Sequence, residues 1–234
     1  MKSTDELISD LLDLAFAEDI GDGDHTTLST IPAGEQGKSR LLVKEDGIIA
    51  GIDIAEKVLH RIDPSIRIEK LLADGDKVKK GDVAFYAEGS VRSLLIAERT
   101  MLNIMQRMSG VATMTAKYQK ELDGTHARVL DTRKTTPGMR ILEKEAVKIG
   151  GGTNHRIGLF DMILIKDNHI DFAGGIENAV NAARSYCKEK GLDLRIEVEA
   201  RSLDDVRRIL SLGVDRVMFD NFTPEQTKEA VAIV

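Results

Sequence analysis

The chain has 234 residues, of which 42% are hydrophobic and 31% are charged, and its formal net charge at pH 7 is −6. This length and apolar content are sufficient for one large domain or two ordinary ones with buried cores. The negative charge disfavours nucleic acid as the main partner, because a phosphate backbone requires a broad basic face. The sequence has no apolar run of about eighteen residues and no signal-like start, which predicts a soluble cytoplasmic protein outside the membrane.

Residues 1–108 are predicted to form an α+β domain. A capping-box pattern at residues 3–6 begins a helix that ends near residues 18–21. Its apolar positions are Leu7, Leu11, Leu12 and Leu14. The pattern then predicts a helix at 53–62 and strands at 38–50, 66–72 and 82–88, with Gly/Asp turns between them. This order is typical of an α+β module rather than of a βαβ series.

Two acidic, glycine-rich segments of this domain have the composition of ligand-binding loops. Residues 74–82 resemble the turn of biotinyl and lipoyl carrier domains, but the Met-Lys pair that such carriers commonly modify occurs only at residues 1–2. Residues 18–27 resemble a calcium loop, but they lack the terminal glutamate and the ligand spacing of an EF-hand. We therefore expect a β-turn in the first segment and a helix-ending loop in the second.

Residues 109–234 are predicted to form an α/β domain, which follows a helix over 93–121 that is interrupted at Ser109-Gly110. Apolar runs that end in charged residues occur at 128–134, 162–167, 194–199 and 216–221. Such runs, separated by helical patterns, are typical of buried parallel strands. The carboxyl ends of these strands are where α/β sheets and barrels place their chemistry.

Cationic side chains occur at the first two of these ends. Arg133 and Lys134 close the first run, Lys166 closes the second, and His155 and Arg156 follow a triple glycine. A single lysine or arginine is commonly a solvated surface residue. A lysine at the end of an apolar strand, however, is costly to bury unless an anion compensates it, and a guanidinium can bind both oxygens of a carboxylate. The set predicts a local site for an anionic substrate.

Acidic side chains occur at the other two ends. Glu197 and Glu199 have the same parity on the third predicted strand and therefore point to one side, and Asp220 ends the fourth strand. Glu199 is nearer the carboxyl end, where a site is expected. These carboxylates could bind Mg²⁺ directly or through water, bind ribose hydroxyls, or stabilise positive charge on a sugar carbon. The alternative is that they only pair with the neighbouring lysines.

Short motifs occur in order through nearly the whole chain, at residues 18–27, 98–103, 109–113, 131–138, 150–156, 165–169, 197–199 and 220–221. Together they resemble the quinolinate phosphoribosyltransferase family, also called nicotinate-nucleotide pyrophosphorylase (carboxylating). The Asp-Thr-Arg-Lys-Thr and Asn-His-Arg motifs are the specific ones. The resemblance implies an N-terminal α/β sandwich domain, then an incomplete α/β barrel, and a homodimer with active sites shared between the subunits.

The resemblance also implies a reaction. Phosphoribosyl pyrophosphate and quinolinate would give nicotinate mononucleotide, pyrophosphate and CO₂, with Mg²⁺ as cofactor. The quinolinate carboxylates would be bound by Arg133, His155, Arg156 and Lys166, with Arg99 contributed by the partner subunit. Lys134 would face the phosphates of the sugar donor. Glu199 and Asp220 would stabilise positive charge near the ribose anomeric carbon and bind Mg²⁺, directly or through water.

Members of this family usually continue beyond a helix like residues 223–234 into further β/α units that bind the donor phosphates. We therefore expect this chain to be truncated within the barrel domain. One alternative is a truncated homologue that binds quinolinate without turnover. The other is a related pyridine or molybdenum-linked phosphoribosyltransferase-like protein with a different acceptor, which the intact Arg133, His155 and Arg156 set disfavours.

Overall fold

The computed structural model describes residues 2–234. The chain divides into two compact units, the first ending at His155 and the second beginning at Arg156. The domain boundary predicted near residue 108 falls within a helix of the first unit, Val91–Glu121, and stays a prediction. None of the helices in residues 2–234 combines the length and the apolar character that crossing a bilayer requires.

The first unit is an antiparallel α+β structure, as predicted. Its elements are α1 (Thr4–Ile20), α2 (His25–Thr30), β1 (Gln36–Leu42), β2 (Gly47–Ile48), α3 (Ile52–Ile62), β3 (Arg67–Lys70), β4 (Lys77–Val78), β5 (Val83–Ser90), α4 (Val91–Glu121) and α5 (Arg140–Ile149). Strand β5 pairs antiparallel with both β1 and β3, and β2 pairs antiparallel with β4. The core includes Leu12, Val58, Phe85, Met108 and Leu142, so that α1, α3, α4 and α5 share one apolar interior with β5.

Helix α1 begins as the sequence predicts. Ser3 and Glu6 form a capping box, in which the Glu6 carboxylate accepts the Ser3 N–H at 2.6 Å and the Ser3 hydroxyl accepts the Glu6 N–H at 3.2 Å. The buried stripe consists of Ile8, Leu12 and Phe16. Leu7 and Leu14, which the sequence also places in this helix, are exposed. The buried residues follow a four-residue spacing that these two leucines do not share.

Helix α4 is continuous, and the interruption predicted at Ser109-Gly110 was wrong. The Ser109 hydroxyl accepts the Ala50 N–H at 2.9 Å and donates to the Ala50 carbonyl at 3.2 Å. The Thr113 hydroxyl likewise accepts the Ile48 N–H at 2.9 Å. These contacts bind the helix to β2 and to the segment that follows it. They offset the roughly 1 kcal/mol that one glycine costs in a helix interior.

Residues 74–82 form turns on either side of β4, as predicted. The backbone N–H groups of Asp76 and Asp82 each donate to the carbonyl three residues earlier, both at 3.1 Å. Gly75 and Gly81 have φ values of 97° and 103°, which L side chains rarely adopt. The acidic and glycine residues of this segment are therefore explained by turn geometry.

The second unit contains the predicted parallel strands. Its elements are β6 (Ile163–Ile165), α6 (Asp167–Ala173), α7 (Ile176–Lys190), β7 (Ile196–Ala200), α8 (Leu203–Ser211), β8 (Arg216–Phe219) and α9 (Pro224–Ile233). The sheet order is β6–β7–β8, with Ile165 opposite Val198 and Glu199 opposite Met218. Every residue of the central strand β7 is buried, as expected where helices cover a parallel sheet.

The first predicted strand, residues 128–134, was wrong. Leu130 forms a single parallel bridge with Thr153, supported by backbone hydrogen bonds of 2.8 and 3.2 Å. The ladder does not continue, because the His155 N–H donates to the carboxylate of Asp131 at 2.8 Å instead of to a backbone carbonyl. A side chain thus takes the place of the next backbone acceptor. The segment after Asp131 is a loop and not the end of a strand.

Candidate functional site

The predicted site residues belong to both units. Arg99, Arg133, Lys134 and His155 lie in the first unit, and Arg156, Lys166, Glu199 and Asp220 lie in the second. In the first unit, the structure brings the loop 131–136 against the segment 153–155. In the second unit, it brings Lys166 against Glu199. The site residues of each unit are therefore described separately, with the hydrogen bonds and ion pairs of that unit.

The beginning of the loop 131–136 is fixed by the carboxylate of Asp131. This carboxylate accepts from the Lys144 ammonium and from the His155 N–H, the latter at 2.8 Å. The Asn154 amide, oriented with its nitrogen toward Asp131, donates to Oδ2 at 2.7 Å. Lys144 also donates to the His155 carbonyl at 3.2 Å. Because the Lys144 and Asp131 side chains are only 2% and 7% exposed, water screens this contact very little.

The end of the loop is fixed by Glu143. Its carboxylate accepts the Thr136 N–H at 3.2 Å and the Arg107 Nε–H at 2.8 Å. Arg107 also donates to the Thr136 hydroxyl at 3.2 Å. Burial raises the pKa of Glu143, but the hydrogen bonds from Thr136 and Arg107 together outweigh burial and leave the pKa below its ordinary value of 4.5. Glu143 is therefore a charged acceptor at neutral pH.

Between these fixed ends the loop presents two cationic side chains. Arg133 is half-buried, and its Nε is buried and has no hydrogen-bond partner within residues 2–234. A buried donor without a partner costs about 1–3 kcal/mol, more when it is charged. Lys134 is exposed, and its backbone N–H donates to the Thr132 hydroxyl at 3.0 Å. A half-buried guanidinium with an unused donor suits the planar geometry of a carboxylate.

Arg99 is an exposed residue of α4. It lines a cavity of about 380 Å³ together with Glu18, Asp19 and Asn103. Glu18 and Asp19 lie at the end of α1, within the first of the predicted motifs. The cavity is lined mainly by α1 and α4, with Met139 also contributing, and it combines one guanidinium with two carboxyl groups.

The second unit pairs Lys166 with Glu199. The Lys166 Nζ lies 3.2 Å from Glu199 Oε1, and the two side chains are 47% and 9% exposed. Lys166 follows β6, and its backbone N–H donates to Nδ1 of His169 in α6 at 2.9 Å. Glu199 thus makes a lysine pairing of the kind that the alternative interpretation expects. The pair places a half-exposed cation beside a buried carboxylate at the carboxyl end of the sheet.

The remaining residues of the second unit have separate contacts. Glu197 lies 4.0 Å from Arg216 across the β7–β8 pairing. Arg156 is buried and donates from Nη1 to the Met162 carbonyl at 3.2 Å. Asp220 directly follows β8, and its backbone N–H donates to the Ala200 carbonyl at 3.0 Å. Asp220 lies one residue beyond the end of β8, and its backbone N–H makes one further hydrogen bond to β7.

The carboxylates of this sheet edge fit a magnesium ion only in part. Glu199 and Asp220 lie at the carboxyl ends of neighbouring strands and, because Glu199 is opposite Met218, they have the same parity. Within residues 2–234, no three His, Cys, Asp or Glu side chains come together as metal ligands. Mg²⁺ usually retains waters and uses one or two carboxylates together with phosphate oxygens. The two carboxylates therefore fit an ion that arrives with a phosphorylated substrate.

Sequence reasoning missed the residues that fix the loop, namely Glu143 and Lys144. Helical amphipathicity contains a weak signal for them, because both lie three or four residues before the buried Val147 and share its side of α5. Charged residues are seldom buried, however, so their residue types favour a location at the surface and outweigh the helical pattern.

Two sequence models of known domains match this chain. The C-terminal domain of quinolinate phosphoribosyl transferase matches residues 111–234, and the N-terminal domain of the same enzyme matches residues 24–109. The chain belongs to the quinolinate phosphoribosyltransferase family. The family resemblance predicted from the short motifs is thereby confirmed.

Individual relatives agree with this family assignment. The chain is 46% identical over 219 residues to quinolinate phosphoribosyltransferase [decarboxylating] 1b of Nicotiana tabacum, covering 90% of this chain and 62% of that protein. It is 42% identical over 219 residues to a probable nicotinate-nucleotide pyrophosphorylase [carboxylating] of Bacillus subtilis, covering 93% of this chain and 74% of that protein. The chain thus spans less than two thirds of the length of the tobacco relative.

Solved structures agree with the fold. The crystal structure of NadC from Streptococcus pyogenes matches with a TM-score of 0.92 at 38% identity, covering 100% of this chain and 81% of that chain. The nicotinate-nucleotide pyrophosphorylase from Francisella tularensis matches with a TM-score of 0.91 at 40% identity, with the same coverage. The predicted mixed α/β class, with a small N-terminal sheet followed by an α/β part, is confirmed. The predicted truncation stays a prediction.

A pH-dependent test follows from Glu143. Its pKa is lowered in the folded protein, so its contribution to stability is present above the ordinary value of 4.5 and is lost as pH falls through the folded pKa. Glu143→Gln should therefore reduce the free energy of unfolding by about 1–3 kcal/mol at pH 7, and by progressively less as the pH falls below 4.5. Urea unfolding over this pH range measures the difference.

The matched control for this test is Glu145→Gln, on the exposed side of the same helix. Its effect on the free energy of unfolding at pH 7 should be below about 1 kcal/mol, because an exposed ion pair contributes little. A Glu143→Gln effect that does not change with pH would contradict the assigned role of the carboxylate charge.

Proposed function

We propose that the protein is a pentosyltransferase of NAD biosynthesis. It transfers the phosphoribosyl group of phosphoribosyl pyrophosphate to quinolinate, with decarboxylation, and yields nicotinate mononucleotide, pyrophosphate and CO₂. The observation that carries the proposal is the buried Nε of Arg133, which has no partner within residues 2–234 and lies in a loop fixed at both ends. Membership in the quinolinate phosphoribosyltransferase family supports the choice of acceptor.

The acceptor is a dianion, and the proposed ligands match its charge. They are Arg133, His155, Arg156 and Lys166, with Arg99 from a second subunit. A guanidinium donates two parallel hydrogen bonds to a carboxylate, whereas an ammonium acts as a point charge. Arg133 is the residue with an unused buried donor, so we assign it a direct bond to a quinolinate carboxylate.

The donor requires a different set of residues. Lys134 is exposed beside Arg133 and would bind a phosphate of phosphoribosyl pyrophosphate. Loss of pyrophosphate leaves positive charge near the anomeric carbon of the ribose, which the carboxylates of Glu199 and Asp220 would stabilise. The same two carboxylates would bind Mg²⁺, directly or through water, and the ion would neutralise the departing pyrophosphate.

Decarboxylation needs no further cofactor in this scheme. The ring nitrogen of quinolinate attacks the anomeric carbon and becomes a pyridinium. When the neighbouring carboxylate departs as CO₂, its bonding electron pair stays on the ring carbon, where the adjacent positive nitrogen stabilises it. That carbon then takes up a proton from solvent, which gives nicotinate mononucleotide. The protein contributes orientation of the acceptor and exclusion of water from it.

The assembly that we propose is a homodimer in which each active site receives Arg99 from the partner subunit. The exposure of Arg99 supports this proposal, because the guanidinium is accessible at the surface of its own chain. The cytoplasmic location stays a prediction. Curated relatives include a chloroplastic protein of Arabidopsis thaliana and a mitochondrial protein of Nicotiana tabacum.

Quinolinate binding tests the assignment of Arg133. Arg133→Ala should weaken binding by about 1.5–3 kcal/mol, the scale of a hydrogen bond to a charged group, which is roughly 10- to 150-fold in Kd. Isothermal titration calorimetry with quinolinate alone measures this without requiring turnover. Arg128→Ala is the control, because Arg128 is exposed and precedes the loop. Equal quinolinate affinity in the Arg133 variant and the control would remove the carboxylate assignment.

Mixing two inactive variants tests the shared site. Arg99→Ala and Lys134→Ala should each have little activity, but their hybrid dimer has one site with both residues intact. After full subunit exchange, about a quarter of the wild-type activity should return, because half of the dimers are hybrids and each hybrid has one intact site. Native mass spectrometry establishes that hybrids have formed. Hybrids without activity would show that each site lies within one chain.

A further inference from the structure

Two adjacent charged residues of α5, Glu143 and Lys144, are 6% and 1% exposed. Neighbouring helix residues project about 100° apart, so these two side chains reach different parts of their surroundings. Glu143 contacts Thr136, and Lys144 contacts Asp131. The loop between these contacts carries Arg133 and Lys134. A single turn of α5 therefore fixes both ends of the loop that presents the two cations.

Stability alone does not explain a buried lysine at position 144. Desolvating an ammonium and a carboxylate costs several kcal/mol per ion, and replacing a buried ion pair with apolar residues is often neutral or stabilising. Helix α5 already buries Leu142 and Ala146, so an apolar side chain at this position would extend the same core. An apolar side chain could not, however, bind Asp131 and the His155 carbonyl together.

The contacts of Lys144 lead directly to residues of the proposed site. Asp131 lies two residues before Arg133, and its carboxylate also binds the backbone N–H of His155. Both the path of the loop and the backbone position of His155 therefore depend on one buried carboxylate. Preorganised donors bind a ligand more tightly, because less conformational entropy is lost on binding.

We propose that Lys144 and Glu143 are positioning residues of the active site. Lys144 fixes Asp131 and thereby aligns Arg133 and His155 for the acceptor, and Glu143 fixes the other end of the loop through Thr136. Neither side chain is assigned a contact with substrate. The proposal rests on the proposed function for its effect on quinolinate binding, whereas its effect on the loop is independent of that function.

The experiment compares Lys144→Met with Lys148→Met. Lys148 lies one turn later on α5, its side chain is 51% exposed, and it pairs with Glu145 at the surface. Amide hydrogen exchange is measured for His155 and Thr136, and quinolinate affinity is measured by calorimetry under conditions where urea unfolding shows each variant to be folded. These two readouts separate a change in the loop from a general loss of stability.

Exchange of the His155 amide should be at least about tenfold faster in Lys144→Met, because the carboxylate that accepts this N–H has lost its cation. Quinolinate Kd should rise by about tenfold or more, because the loop is no longer preorganised. Lys148→Met should change neither quantity. A folded Lys144→Met variant with unchanged exchange and unchanged Kd would overturn the proposal.

A double variant tests whether Lys144 acts through Asp131. If both residues act through one contact, quinolinate Kd in Asp131→Asn/Lys144→Met should be no higher than in the weaker-binding single variant. If the fold-increases in Kd of the two single variants multiply in the double variant, Lys144 does not act through Asp131. If Lys144→Met does not fold, Glu143→Gln tests the other end of the loop. Faster exchange at the Thr136 amide with weaker quinolinate binding is expected there, and unchanged values would overturn the proposal.

If the wild-type protein does not bind quinolinate, the proposed function fails while the exchange measurements still decide the positioning roles. If the wild type binds quinolinate and Lys144→Met retains both its exchange rates and its Kd, only the positioning roles fail. The two claims are therefore separable within one set of measurements.

Discussion

The buried contact between Lys144 and Asp131 determines the backbone path from which the first unit's proposed site residues project. Asp131 ends the short bridge to the segment 153–155, because its carboxylate takes the N–H of His155. The chain must then leave the ladder, and it does so as a loop that carries Arg133. The buried ion pair between Lys144 and Asp131 therefore ends the strand pairing, and the residues after Asp131 form a loop that exposes Lys134 and half-exposes Arg133.

That contact is itself supported by the packing of the first unit. Helix α5 shares an apolar core with α4 through residues such as Leu142 and Met108. Helix α4 is in turn bound to β2 by the hydroxyl of Thr113 and to the segment after β2 by the hydroxyl of Ser109. The position of Lys144 therefore depends on a continuous series of buried contacts. Rigid support of this kind would preorganise the proposed binding site for a dicarboxylate acceptor.

The second unit uses charge differently. Glu199 is buried in the central strand, whereas its partner Lys166 is half-exposed. In the proposed reaction an anionic acceptor would compete for Lys166, and the Glu199 carboxylate would then be available to positive charge on the ribose. The ion pair thus offsets the cost of burying Glu199 in the absence of substrate.

Much of this architecture could be predicted from the sequence. The apolar runs of β6, β7 and β8 identify buried parallel strands because helices cover both faces of such a sheet, and the charges after them identify the candidate site. The same pattern identifies Arg133 and Lys134, although their segment is a loop. The pattern could not show this, because the Asp131 carboxylate ends the ladder through a contact with a residue 24 positions later.

Other features could not be predicted for related reasons. The pair Ser109-Gly110 predicts an interruption of α4. The free-energy cost of one glycine in a helix is offset by the hydrogen bonds between the Ser109 hydroxyl and the backbone of Ala50. The sequence predicts Lys144 to be a surface residue, because lysines are rarely buried without a charged partner. Its partner, Asp131, is 13 positions earlier in the chain, and only the folded structure shows the pairing. Periodicity reports which face of an element is apolar. It does not report which charged residues of that face have partners.

The most direct measurement is a product balance with quinolinate labelled in the carboxylate next to the ring nitrogen, incubated with phosphoribosyl pyrophosphate and Mg²⁺. Equal amounts of nicotinate mononucleotide, pyrophosphate and labelled CO₂ are expected. No mononucleotide is expected when nicotinate, which lacks that carboxylate, replaces quinolinate. Quinolinate binding without turnover, or equal use of nicotinate as acceptor, would contradict the proposed function.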